Sequence, residues 1–278
     1  DPPAKCPRLD ALELFCADYC PFAQRVWIGL GAAGVNFEYN EVNLWCHRLP
    51  LTSKFRSLSP SCIVPALLPP GESVGMDDSI PLLFYLNAAA GGALSPSEPK
   101  QCWKMHAMSA KEVPDLVSKF YGFLGAKEVL GPSAEERRAA FEAALGVFEQ
   151  QLELSGGTWL LGTARMTVLD IALFPFVERI MLGVLQWYRG FDHSRFVRLG
   201  RWYEDCMSQD FVSKTVWQKR PTDSLCTQPY GAELLSREQY MRAIYKKYSE
   251  NNAVEVNSVL ATVRPPLMPQ DDWDRLFE

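Results

Sequence analysis

Apolar residues along this chain follow two periods, and the change from one to the other divides it. Leu12-Glu13-Leu14-Phe15-Cys16 is a short apolar run flanked by polar residues, which predicts a buried strand over 11–16. Phe22, Val26, Leu30 and Ala33 then recur at helical spacing as far as Gly34, predicting a helix over 21–33. A strand from Phe37 to Leu44, an irregular stretch, a strand at Ala66-Leu67-Leu68 and a helix from Ile80 to Ala89 complete an α/β unit. Gly91-Gly92, Ser95-Pro96 and Pro99 read as a linker. Beyond it the helical period takes over, first across 100–124 and then across 134–154, where Ser133 and Glu136 form a capping box. Thr167-Val168-Leu169-Asp170 opens another helix, which runs toward Trp187. After Pro221 the pattern is mixed, with a helix expected over Leu235 to Ser249 and an extended Pro265-Pro266-Leu267-Met268-Pro269. The expected division is an α/β domain over 1–90, a linker over 91–99, an all-helical domain over 100–220 and an extension over 221–278.

Composition narrows the function classes. With 278 residues, 47% hydrophobic and 22% charged, the chain can build one large core or two ordinary ones. A net charge of −5 gives no general pull toward nucleic acid or anionic membranes. The most apolar stretch, Leu169 to Trp187, is interrupted by Asp170, Glu178 and Arg179, so it reads as a core helix and not as a membrane span. The eight cysteines, at 6, 16, 20, 46, 62, 102, 206 and 226, form no paired CxxC blocks and have no histidines at zinc spacing. That usage suits a reducing compartment and no metal site. The chain opens on Asp1 rather than Met, which is compatible with a targeting segment removed ahead of it.

The candidate chemistry lies where the first strand turns into the first helix. Pro21 fits the first helical turn, so Cys20 falls at or near the N-cap, facing unpaired backbone N–H groups and the positive end of the helix dipole. Such a setting favours thiolate and lowers a cysteine from its free value of about 8.5. The alternative is a small buried apolar side chain. A thiolate attacks disulfide sulfur, whereas a hydroxyl at the same place can only help another thiol to ionise. Position 23 is Ala, so there is no Cys-x-x-Cys dithiol and a second thiol must resolve any mixed disulfide. A Cys16–Cys20 disulfide is opposed by strand geometry.

Four motifs in order carry a family resemblance. Residues 20–28, Cys-Pro-Phe-Ala-Gln-Arg-Val-Trp-Ile, resemble the first strand-to-helix turn of lambda-class glutathione transferases, with the omega class and dehydroascorbate reductases close behind. Ile63-Val64-Pro65 resembles the family's Val-Pro step, Asp78-Ser79 its acidic-Ser pair, and Asp170 to Arg179 its Asp-Ile-Ala…Pro-Phe-x-Glu-Arg helix. The resemblance spans roughly residues 10–220 and implies a thioredoxin-like α/β domain followed by an all-α domain. It also implies glutathione as co-substrate and a cis Val64-Pro65 bond pairing with its backbone. Ser79 would hold the γ-glutamyl carboxylate at a helix start or serve as an ordinary N-cap, Asp78 would take the ammonium, and Phe22 would pack either beside the glutathione or in the core. Asp78 departs from the family's commoner Glu, and in a stretch longer than the family pattern, which leaves the usual basic contact unassigned, Arg48 and Lys54 are the candidates for it. Arg179 either faces the second-substrate cleft or pairs with a neighbouring carboxylate.

The implied activity is glutathione-dependent thiol transfer, on glutathionylated or dehydroascorbate-type substrates, in the cytoplasm or plastid stroma. Two other readings are a non-catalytic subunit or scaffold of the same fold, and the chloride intracellular channel group, against which the Asp170–Arg179 helix argues. The extension carries Tyr230, Tyr240, Tyr245, Tyr248 and Trp273, and Tyr240, Ile244 and Tyr248 form one helical stripe. That stripe either wraps the chain's own helical domain or docks on a protein partner.

Overall fold

The computed structural model describes residues 12–42, 55, 58, 59, 61, 63–125, 132–216 and 236–249. Arg48, Lys54, Leu44, Pro221, Tyr230, the Pro265–Pro269 segment and Trp273 lie outside the described residues.

The first half is a four-stranded mixed sheet with helices against it. β1 (Leu12–Cys16) is flanked by β2 (Phe37–Glu41), in parallel, and by β3 (Ala66–Leu68), antiparallel; β4 (Met76–Asp77) pairs antiparallel with β3, giving the order β2-β1-β3-β4. Leu12 and Leu14 are fully buried, as expected of a central strand with helices on its face. The parallel β1–β2 pair requires a crossover, and α1 (Pro21–Ala32) supplies it. α2 (Ser79–Ala89) follows β4 directly. The linker is tied down: the Leu94 N–H donates to Asn87 Oδ1 at 2.9 Å, and the Leu94 carbonyl accepts from Val168 N–H at 3.0 Å.

The second half is helical: α3 (Pro99–Ala110), α4 (Glu112–Leu124), α5 (Ala134–Ser155), α6 (Val168–Met181), α7 (Val184–Arg189), α8 (Val197–Met207), α9 (Asp210–Ser213) and α10 (Arg237–Ser249). Ser133 and Glu136 form the expected capping box on α5. At α6, Asp170 is wholly buried and accepts from Thr167 N–H and hydroxyl, Leu160 N–H and Trp202 Nε1–H, between 2.8 and 3.0 Å. One carboxylate thereby ties the start of α6 to the preceding loop and to α8. α6 is buried along its length, and Phe120 of α4 makes T-shaped contacts with its Phe176 and with Phe141 of α5.

Two expected helices are each divided. The run 100–124 breaks at Lys111 (φ −123°, ψ −64°), and Pro114 in the first turn of α4 has no N–H for the Ala110 carbonyl, so two helices form there in place of one. The helix toward Trp187 stops at Met181 because Gly183 adopts φ 77°, the left-handed region open to glycine. α1 fits between both halves through a close approach: a Cβ at Gly31 would lie 2.7 Å from Phe211 Cβ.

α10 packs on its own chain, with Tyr240, Met241 and Tyr245 as its buried face. The expected Tyr240–Ile244–Tyr248 stripe is rotated, for Tyr248 is 37% exposed and Ile244 only half-buried.

Candidate functional site

Strand register assembles the site before any side chain does. Phe15 pairs with Ala66, and Ala66 with Asp77, so the end of β1, the start of β3 and the end of β4 lie together at one end of the sheet. The segments just beyond these residues are the Ala17–Cys20 turn, the Val64-Pro65 step and Asp78-Ser79. The Val64-Pro65 bond is cis, and both residues are buried. Asp77 steadies the approach to it, accepting from Ser59 Oγ at 3.0 Å and Ser61 N–H at 2.8 Å. Asp78 is exposed and has φ 71°, costly for a residue with a Cβ and sustained here at the entry to α2; Ser79 beside it is 3% exposed.

Cys20 is the N-cap of α1, half-buried and a free thiol, with Pro21 as the first helical residue. Its N–H closes the turn onto the Ala17 carbonyl at 2.8 Å. The expected depression of its pKa does not hold. Burial pushes the thiol up, and it outweighs the opposing pull of the Ala23 and Phe22 N–H groups and of Arg179 and Arg25. Cys16 is also a free thiol, fully buried in β1 and raised well above the usual range by desolvation.

Beside this turn lies a pocket of about 480 Å³ between the two halves of the chain. Phe22, Arg25, Asp78, Ser79, Ile80 and Pro81 line one wall; Ser109, Ala110, Pro114, Val117 and Ser118, where α3 meets α4, line the other. Three of the anticipated residues, Phe22, Asp78 and Ser79, thus share one cavity, whereas Cys20, Val64 and Pro65 stand at the same sheet end outside its lining. Arg179 is not on the cleft. It is wholly buried, paired with Glu178 and donating to the Tyr19 carbonyl at 3.0 Å, so its carboxylate-pairing role is the one observed.

Arg25 stood in the first motif without an assigned role. Its Nε–H donates to the Ala172 carbonyl at 2.7 Å and its Nη1–H to Ser79 Oγ at 3.1 Å, while its guanidinium lies 5.3 Å and 5.1 Å from the Phe22 and Phe176 ring centres. Burial pushes its pKa down to about 10, against the pull of Cys20, Asp78 and Tyr121, which leaves it a cation at neutral pH. Arg25 Nη2 and Ser109 Oγ are buried without hydrogen-bond partners among the described residues. The pocket lining therefore brings the Arg25 cation, the hydroxyls of Ser79, Ser109 and Ser118 and the N-terminus of α2 together with the Asp78 carboxylate, a fit for an α-amino carboxylate. The sequence signal was the polar pair Gln24-Arg25 on an otherwise apolar helix.

Comparison with known proteins settles the kinship. A family model described as glutathione S-transferase, N-terminal domain, matches residues 19–89, and the corresponding C-terminal domain model matches 131–205. A pyrimidodiazepine synthase from Drosophila melanogaster is 31% identical over 204 residues, covering 69% of this chain and 75% of that protein. The chain belongs to the glutathione transferase family. A second similar protein, glutathione S-transferase omega-1 from Sus scrofa, is 26% identical over 219 residues, 76% of this chain and 83% of that one. In fold, this glutathione transferase resembles a family member from Pseudomonas fluorescens solved with two glutathione bound, with a TM-score of 0.62, 22% identity, and 77% and 94% of the two chains covered. Glutathione is the family's co-substrate, and the sheet-plus-helices architecture is the family fold. No helix among the described residues is long and apolar enough to cross a membrane.

Proposed function

We propose that this glutathione transferase is of the cysteine type and performs glutathione-dependent thiol transfer through Cys20 alone. The observation that carries the reading is a free, half-buried thiol capping α1, with Ala at position 23. In the reaction, Cys20 thiolate attacks the glutathionyl sulfur of a mixed disulfide, forming the Cys20–glutathione disulfide and releasing the substrate thiolate, which takes a proton. A second glutathione thiolate then attacks the glutathionyl sulfur, giving glutathione disulfide and returning Cys20. The substrate sulfur is reduced, two glutathione sulfurs become the oxidised product, and the protein is unchanged.

Glutathione would lie with its γ-glutamyl carboxylate toward Ser79, Arg25 and Ser109 and its ammonium toward Asp78. The orphaned Arg25 Nη2 and Ser109 Oγ support that orientation. Its backbone would run along Val64-Pro65. A reducing compartment, cytoplasm or plastid stroma, would keep Cys20 and the other described cysteines as the thiols they are here. The substrates that fit are glutathionylated thiols and small oxidised organics of the dehydroascorbate kind.

The deciding experiment compares two assays on the purified chain: reduction of a glutathionylated small thiol, and conjugation of glutathione to an aryl halide. Reduction that disappears in Cys20→Ser, with conjugation weak throughout, is the expected outcome. Conjugation dominating in both proteins would replace this reading with an ordinary transferase.

A further inference from the structure

The turn that carries Cys20 is held by a segment far away in sequence. Tyr240 of α10 is 3% exposed and donates its hydroxyl hydrogen to Asp18 Oδ1 at 3.1 Å. Asp18 is buried too. From the same helix, Arg237 pairs with Glu178 at 3.0 Å, Glu178 pairs with Arg179, and Arg179 reaches the Tyr19 carbonyl at 3.0 Å. Two routes therefore run from α10 to consecutive residues of the Ala17–Cys20 turn. The helix has separate anchors elsewhere: Tyr188 of α7 donates to the Arg242 carbonyl at 2.7 Å, and the Arg242 guanidinium lies 4.2 Å from the Trp187 ring centre.

We propose that α10 is a working part of the active site, with Tyr240 as a positioning residue that fixes, through Asp18, the turn presenting Cys20. A short turn closed by one backbone bond has many geometries, and a buried carboxylate that loses a donor moves toward water. Holding Asp18 and Tyr19 from outside keeps the thiol in one orientation before substrate arrives, so the ordering cost is met on folding. The effect on catalysis rests on reading Cys20 as the nucleophile; the effect on the turn does not.

The test uses the full-length chain. Tyr240→Phe removes one hydroxyl and keeps the ring. Labelling of Cys20 by iodoacetamide, read by mass spectrometry of its peptide, should quicken about fivefold, the change in open population that one buried hydrogen bond sustains. The kcat for reduction of a glutathionylated thiol should fall with KM for glutathione unchanged. In an Asp18→Ala background, which has no side-chain acceptor for the Tyr240 hydroxyl, adding Tyr240→Phe should change labelling much less, since both substitutions break the same link. Tyr188→Phe is the control: it loosens the same helix from α7, and should lower the melting temperature with labelling unchanged. Labelling of Tyr240→Phe within about twofold of wild type, or an equal rise in Tyr188→Phe, overturns the proposal. A chain that lacks reductase activity would instead sink the catalytic reading, and the labelling comparison would still decide the role of Tyr240.

Discussion

At the scale of single residues, Cys20 is a balance between burial and cations. Because burial holds its pKa above the ordinary cysteine value, the thiolate fraction keeps growing as pH rises past that value. Alkylation of Cys20 should therefore keep accelerating through pH 9.0, and a plateau already reached at neutral pH would mean that Arg179, Arg25 and the helix N–H groups prevail. A thiolate of higher pKa is scarcer but more nucleophilic, which moderates the loss. Cys20→Ser should abolish thiol transfer and leave the circular dichroism spectrum intact. Ser79→Ala, which removes a hydroxyl from the carboxylate side of the pocket, should weaken glutathione binding by about 1 kcal/mol in calorimetry. The position of Cys20 was legible in the order strand, Cys, Pro, helix. Its protonation was not, because the desolvating surroundings and Arg179 come from elements far along the chain, which local spacing does not report.

At the scale of elements, buried carboxylates hold α6 in place. Asp170→Ala would strand four donors, and denaturant titration should show a loss of about 3 kcal/mol or more. Glu178 is opposed by desolvation, but Arg179 and Arg237 overcome it and hold its pKa below 4.5. A lowered carboxyl stabilises the fold above its unfolded value and loses that contribution as pH falls through its folded one. Glu178→Gln should accordingly flatten the fall in melting temperature on acidification below 4.5, while lowering stability at neutral pH by leaving two buried arginines short of a partner. The capping boxes at Ser133 and Thr167 could be read directly because they are local, one turn long and made of fixed residue types. The breaks at Lys111 and Gly183 were missed because apolar periodicity continues across them. The face α10 buries was misjudged for a related reason: an aromatic stripe has several near-equivalent rotations, and Asp18 and Glu178 select the one with Tyr240 and Tyr245 inward.

At the scale of the whole molecule, α10 belongs to the core rather than to an appendage. Deleting 222–278 would uncover the surface covered by Tyr240, Met241 and Tyr245, a loss on the order of 5 kcal/mol. Lower solubility and a lower melting temperature are expected; unchanged stability with loss of a co-purifying protein would return the tail to a partner-binding role. The fold class was legible from the switch of period near residue 90, and the site from motifs that strand register gathers at one sheet end. The seating of α1 has a consequence for how the chain comes apart. Arg25 holds the Ala172 carbonyl, Gln24 Nε2 donates to Thr215 Oγ1 at 3.2 Å, and Gly31 lies flat against Phe211, so the first helix of the sheet half is walled by helices of the other half. Neither half can melt while the other keeps its surface covered, and scanning calorimetry should record a single cooperative transition whose van't Hoff and calorimetric enthalpies agree.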